Sequence, residues 1–207
     1  MIRNLAETIV FGIFALLLVG VLTGVGVYFA LKADLPQLPE SLDQIALSLP
    51  TEVYSAEGDV LKILGERHPV ALDEISPYFT KAIIAVEDAR FYKHHGVDHI
   101  GLVRALIKNI KVKRIIQGGS TITQQLSKNL FFSFERNWIR KLKELLVAVQ
   151  LEATFSKEEI LEAYCNQVYF GSGAYGVEEA SKIYFGKRAK DLTRLQAALL
   201  AGLPNSP

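Results

Sequence analysis

Gln117-Gly118-Gly119-Ser120-Thr121-Ile122-Thr123-Gln124-Gln125-Leu126-Ser127-Lys128-Asn129 is the stretch on which the reading of this chain turns. It combines two adjacent glycines, hydroxyl and amide side chains and a lysine, with few apolar residues. It reads as a Gly-rich loop that enters a helix, with Ser120 as the N-cap. Such a loop offers backbone N–H groups to an anionic ligand, and Lys128 adds charge. Taken alone, the string reads equally well as a capped helix start. The segments on both sides give it weight.

Toward the N-terminus, residues 99–113 and 77–92 read as helices. Ser76-Pro77 supplies an N-cap followed by proline at the first helical position. Glu87-Asp88 falls late in that helix, ahead of Phe91, His94 and Gly96. Adjacent carboxylates on a helix point about 100° apart, so one faces a cleft while the other is held by hydrogen bonds. A solvated face is the ordinary alternative. His95 and His99 have the i,i+4 spacing of two metal ligands on one helix. Gly96 and the expected N-cap Asp98 interrupt that helix, and no further His or Cys cluster completes a site. Residues 51–72 alternate around Glu57-Gly58-Asp59, the pattern of a small β-hairpin.

Toward the C-terminus, a long helix is expected over 137–153, with Leu142, Leu145, Leu146 and Val149 as its apolar stripe. Its start, Arg140-Lys141-Leu142-Lys143-Glu144, pairs Arg140 and Lys141 with Glu144 at i,i+4 and i,i+3. On its own this is an exposed, salt-bridged turn. With Arg104, Lys128 and Arg136 converging from other segments, it becomes a cationic cluster beside a carboxylate. A phosphate-bearing substrate with an acid–base step requires that combination. Ser156 with Glu159 and Thr193 with Gln196 are capping boxes opening two more helices, the last stopping at Gly202 before Pro204. Cys165 is the single cysteine, so no internal disulfide forms; in its helical pattern it reads as a small buried apolar group. The chain stops at Asn205-Ser206-Pro207 without a closing element, as a fragment of a longer protein would.

The 207 residues suffice for one domain plus an appendage, and a net charge of +1 provides no global field for nucleic acid. From Thr8 to Leu31 there is no charged residue for 24 positions, about 36 Å as a helix, enough to cross a bilayer core. No cleavage site is evident, so the segment reads as an uncleaved anchor. The expected organisation is a short cytoplasmic tail at 1–7, a transmembrane helix at 8–31, a linker at 32–50 and a domain at 51–207. Pro36, Pro39 and Pro50 mark the linker. Gly20 and Gly24 form one GxxxG, a helix-packing pattern that is also common by chance in such helices. Ile107 to Ile116 mixes aliphatics with cations, and Leu130-Phe131-Phe132-Ser133-Phe134 adds aromatics. Basic amphipathic segments of this kind lie in anionic bilayer interfaces; core packing is the alternative.

The segments together resemble the peptidoglycan glycosyltransferase module (glycosyltransferase family 51) of class A penicillin-binding proteins. Five family motifs occur in order, at Glu87–Gly96, Gly119–Asn129, Arg140–Glu144, Lys157–Asn166 running on to Gly171, and Ala197–Pro207. The match covers about residues 52–207. Asn166-Gln167-Val168-Tyr169-Phe170-Gly171 is similar to the bifunctional members, which carry a transpeptidase domain downstream. No Ser-x-x-Lys, Ser-x-Asn and Lys-Thr-Gly set occurs here, so no transpeptidase site is expected in this chain.

The resemblance implies a mainly α, lysozyme-like fold with two lobes, a small N-terminal β-hairpin and one preceding transmembrane helix. It implies polymerisation of lipid II into glycan strands on the outer face of the bacterial cytoplasmic membrane, with release of undecaprenyl diphosphate. Transfer to the acceptor 4-hydroxyl is inverting, with Glu87 as general base and Glu144 as the second glutamate. Arg104, Ser120, Gln124, Gln125, Lys128, Arg136, Arg140, Lys141 and Asn166 are then substrate-binding candidates, and Asp88 and His94 structural residues at the site. Glu144 either orients the cations or holds a divalent metal, Mg or Mn, at the diphosphate; no organic cofactor is implied. The implied partners are lipid II, the lipid-linked glycan, the bilayer and a cell-wall synthesis complex, with moenomycin-type phosphoglycolipids as inhibitors. A glycoside hydrolase and a non-catalytic recruitment module are the rival classes. A neutral sugar leaving group needs no phosphate clamp, and intact Glu87 and Glu144 speak against decay.

Overall fold

The computed structural model describes residues 2–42, 51–64, 67–114, 118–132 and 137–205. Two compact units are present, Met1–Gln37 and Leu38–Pro207. In the first, α1 (Ile2–Lys32) is a single helix of 31 residues. Its Ile9–Lys32 part is long and apolar enough to cross a membrane. Of the expected linker, residues 43–50 lie outside the described residues.

The second unit is mainly helical. It opens on a hairpin of β1 (Thr51–Tyr54) and β2 (Val60–Leu64), antiparallel, with Thr51 opposite Leu64 and a bulge between Val53 and Tyr54. Ser55 Oγ accepts the Glu57 and Asp59 amides in the turn. Seven helices follow among the described residues: α2 (Pro77–Glu87), α3 (His99–Val112), α4 (Ile122–Phe131), α5 (Trp138–Thr154), α6 (Lys157–Gln167), α7 (Val177–Phe185) and α8 (Arg194–Gly202). α4 packs on α5 and α6, and α2 packs on α8. Ile122 and Leu126 of α4, Val147 and Leu151 of α5, and Ile160 and Tyr164 of α6 are buried together at that centre. Phe79 of α2 meets Phe170, ring centroids 5.9 Å apart, on the other side.

Both expected capping boxes form, at Ser156/Glu159 and Thr193/Gln196. Other local expectations change. Ser76 precedes α2, but its hydroxyl donates to the Leu192 carbonyl at 3.0 Å instead of capping the helix. α2 stops at Glu87, short of the expected residue 92, because Asp88 takes φ −156° and ψ 71°. The α5 stripe is displaced: Leu142 and Val149 are exposed, while Glu144, Val147, Ala148 and Leu151 face inward. α7 is a helix that the periodicity reading did not single out. Glu178 and Glu179 in its first turn and Gly186 at its end are the signals that could have found it.

The α5 face is chosen by what presses on it. Gly96 sits at φ +83°, and a Cβ there would lie 2.8 Å from the Ala148 carbonyl oxygen. No L side chain fits that approach, and the conformation itself favours glycine. Ser127 Oγ donates to the Glu144 carbonyl at 3.1 Å, fixing α4 against the same face. Gly96→Ala is therefore expected to lower stability by about 1–3 kcal/mol, read as the thermal midpoint in detergent. Gly118→Ala, where a Cβ meets nothing within 4 Å, should shift that midpoint far less.

Candidate active site

The site is assembled around Asp88. The residue ends α2, and leaving the helical conformation sends its carboxylate inward while Glu87 remains on the last helical turn. Asp88 Oδ2 accepts the Ile122 amide at 3.1 Å, at the first turn of α4. A carboxylate there satisfies an orphan N–H and faces the positive end of the helix dipole. His94, also buried, places Nε2 2.9 Å from the same oxygen. Thr121 Oγ1 donates to the Gly96 carbonyl at 2.7 Å. The end of the Gly-rich loop is thus held from both sides.

The helix begins one residue later than expected. Thr121, not Ser120, is the N-cap: its hydroxyl accepts the Gln124 amide at 3.1 Å, and the Gln124 side chain returns to the Thr121 N–H. This capping box buries Gln124 and occupies its carbonyl end. It also releases Ser120, whose Oγ accepts Lys141 Nζ at 3.0 Å. Asn166 is likewise taken up: Oδ1 accepts the Val70 amide at 3.1 Å and Nδ2 donates to the Val70 carbonyl at 2.9 Å. Both ends of its amide fasten the strap after the hairpin to α6.

Glu87 is half-buried, and its Oε2 accepts Gln125 Nε2 at 2.8 Å. It lines an open cleft with Arg90, Asp98, Arg104, Gly119 and Ser120. Arg90 and Asp98 were not anticipated at the site. They form an ion pair at 3.2 Å on the cleft wall, a contact made by a turn that periodicity does not describe. Burial pushes the Asp98 carboxyl up, but the Gly101 amide and the Arg90 guanidinium outweigh it and hold its pKa below the ordinary carboxylate value.

Beyond Ser120 lies the cationic cluster. Glu144 is 1% exposed. Its Oε2 accepts Lys141 Nζ at 3.1 Å, and its Oε1 is 3.0 Å from Arg140 Nε, an ion pair without hydrogen-bond geometry. A buried carboxylate with two cations is neutralised locally, and it fixes both cations in return. A divalent metal on Glu144 does not fit this donor set, because both oxygens already face cations. Nor do three or more His, Cys, Asp or Glu converge into a metal-binding group among the described residues. His95 and His99 are both exposed, His95 before α3 and His99 at its first position. Lys128 is exposed near the C-terminal end of α4. Arg136 lies outside the described residues. Cys165 is fully buried, and burial raises its pKa, so it remains a neutral thiol.

The site thus sets an acidic residue on a cleft with a glycine-rich rim, and Ser120 on that rim binds Lys141, one of the two cations paired with the buried Glu144. Comparison with known sequences gives the family. The transglycosylase family model matches residues 57–207, and the chain belongs to that family. Penicillin-binding protein 1A of Escherichia coli K12 is 45% identical over 192 residues, covering 90% of this chain and 23% of that protein. Penicillin-binding protein 1A of Aquifex aeolicus is 47% identical over 171 residues (82% and 24%), and that of Vibrio cholerae 43% over 207 (99% and 25%). The chain spans about a quarter of the length of these relatives.

Asp98 gives the site a defined acid sensitivity. A carboxyl with a depressed folded pKa stabilises the protein fully above its unfolded value, and the contribution is lost as pH falls through the folded value. Asp98→Asn is expected to cost about 1–3 kcal/mol at neutral pH. The gap between variant and wild-type thermal midpoints should close below about pH 4. A gap that is independent of pH would contradict the ion pair's role.

Proposed function

We propose that this chain polymerises lipid II into glycan strands on the outer face of the bacterial cytoplasmic membrane, releasing undecaprenyl diphosphate. The observation that carries the reading is the Glu87 carboxylate, oriented by Gln125 on the wall of a cleft that Arg104 and Ser120 also line. In the proposed step, the 4-hydroxyl oxygen of the incoming lipid II sugar attacks C1 of the lipid-linked chain. The C1–O bond to the diphosphate breaks, and its electron pair leaves with undecaprenyl diphosphate. Attack from the opposite face inverts C1. Glu87 accepts the hydroxyl proton, and a hydrogen bond donated to its carboxylate favours the ionised form that a base requires.

The leaving diphosphate gains charge as the bond breaks. Arg140 and Lys141, held by Glu144, supply preorganised positive charge, and Arg104 on the cleft wall is a further cation for the phosphates. Glu144 acts here by orienting cations, and no step runs through a metal. A glycoside hydrolase would have no use for this cluster, since its leaving group carries no phosphate.

Glu87→Gln is expected to lower lipid II polymerisation in detergent by about 10²–10⁴-fold without changing the fold. A folded variant that keeps over half its activity would remove the assignment. Lys128→Ala and Arg140→Ala should weaken turnover more than Lys187→Ala on the exposed surface. Equal small effects would mean that the cluster is only a solvated face.

The membrane reading rests on two features. α1 supplies an anchor-length apolar helix. Leu102, Val103, Leu106, Ile107 and Ile110 of α3 are exposed beside Lys108, Lys111, Lys113 and Arg114. Ile115, Ile116, Ser133 and Phe134 lie outside the described residues, and Leu130, Phe131 and Phe132 are half-buried, so α3 carries the argument. A protein lacking residues 1–32 should still sediment with anionic liposomes, more weakly than the full chain. Each basic residue near the surface adds about 1 kcal/mol, so high salt should reduce binding without abolishing it. Complete recovery in the supernatant at low salt would leave the anchor as the sole membrane contact.

A further inference from the structure

Glu87 is joined to the interior by a two-step chain of hydrogen bonds. Gln125 Nε2 donates to Glu87 Oε2 at 2.8 Å, and the other end of the same amide, Oε1, accepts the Tyr164 hydroxyl at 3.2 Å. The three residues come from α2, α4 and α6. Tyr164 is 0% exposed, among the largest fully buried side chains, and sits where α4 packs on α6.

The two ends of a glutamine amide are alike in shape and opposite in hydrogen bonding. With NH2 toward Glu87, the carboxylate is favoured. With the carbonyl toward Glu87, a protonated carboxyl is favoured, because only the acid has a proton to donate. The ionised carboxylate, which only accepts, selects the NH2 end, and the Tyr164 hydroxyl, donating to Oε1, holds the amide in that orientation. We infer that Tyr164 is a positioning residue for Glu87: its hydroxyl fixes the Gln125 amide with the NH2 end toward the carboxylate. The inference rests on the proposed role of Glu87 as base.

Tyr164 stays a proton donor throughout the working range. Burial raises its pKa first, and the Glu87 charge raises it further. Other charged groups line the cleft with Glu87: Asp88 and Arg90 after α2, and Asp98 and Arg104 around α3. Of the packed elements, α4 carries Lys128, and α5 carries Arg140, Lys141 and Glu144, which pair among themselves and reach the rim through Ser120. Replacing Tyr164 with phenylalanine changes none of these charges. A shift in the titration of Glu87 would then report the amide rather than the field.

The test measures kcat and KM for lipid II polymerisation by the full chain in detergent, across the acid limb of the pH profile. Tyr164→Phe, Gln125→Leu and the double variant are compared with wild type, and circular dichroism checks folding. In Tyr164→Phe the acid limb should move up by about half a pH unit or more. Its kcat should fall about 3–10-fold with KM unchanged. Gln125→Leu should move the limb the same way, and adding Tyr164→Phe to it should move the limb no further, since the hydroxyl acts only through the amide. Tyr184→Phe removes a hydroxyl bonded to the Phe170 carbonyl, and it should leave the limb in place.

An unmoved limb in folded Tyr164→Phe, or a full additional shift in the Gln125→Leu background, would overturn the inference. If Tyr164→Phe does not fold, Gln125→Leu decides: an upward limb supports the amide's orientation and an unmoved one refutes it. If Gln125→Leu is inactive, the single Tyr164→Phe profile decides. Glu87→Gln measured alongside separates the two failures. An inactive Glu87→Gln with an unmoved Tyr164→Phe limb sinks only the positioning role, whereas an active Glu87→Gln sinks the function reading beneath it.

Discussion

The bond from the Ile122 amide to the Asp88 carboxylate is the constraint on which the site depends. It joins the end of α2 to the start of α4 across 34 residues of sequence. Were α2 to continue past Glu87, Asp88 would point about 100° round the helix and miss α4. By leaving the helix at Asp88, the chain gives adjacent carboxylates opposite tasks. One is buried and shared between a helix N-terminus and His94; the other stays at the cleft. His94 then supports Asp88, and Thr121 bonded to the Gly96 carbonyl closes the same junction from the loop side.

The second organising element is the buried Glu144. An isolated carboxylate at that depth would be costly, and two cations at about 3 Å compensate it. The compensation has a consequence for the surface. Arg140 and Lys141 are held at defined positions by a group that solvent does not reach, and Lys141 extends the link to Ser120 on the cleft rim. The positions of the cations are therefore set by the fold itself. Glu152, farther along α5, pairs with Lys157 and accepts the Thr123 hydroxyl.

Much of the fold was legible in local chemistry. The hairpin is announced by alternation around Glu57-Gly58-Asp59, and α6 and α8 by their capping boxes. α1 follows from an uncharged apolar run, and α5 was located to within a residue at each end. Each of these depends on residues within a few positions of one another. The displaced inner face of α5 was not legible, because the apolar residues alone mark Leu142 and Val149. The inward face is set by Gly96 and Ser127, which approach from other segments. The extent of α2 was misread for the same reason: the bond that ends it lies on α4.

The sequence by itself determined which residues carry charge and hydrogen-bonding chemistry, in what order, and on which helices, since caps, periodicity and motif spacing are short-range properties of the chain. It singled out Glu87, Asp88, Glu144, Lys141 and the Gly-rich loop. Only the tertiary structure decided what each one does. Thr121 rather than Ser120 caps α4, because the Gly96 carbonyl binds its hydroxyl. Gln124 takes part in capping α4, and Asn166 fastens the strap at Val70. Gln125, one residue along, faces Glu87 and Tyr164 instead. Neighbouring residues of the same type differ in role because a hydrogen bond is settled by which groups meet at about 3 Å, and packing between distant segments brings those groups together.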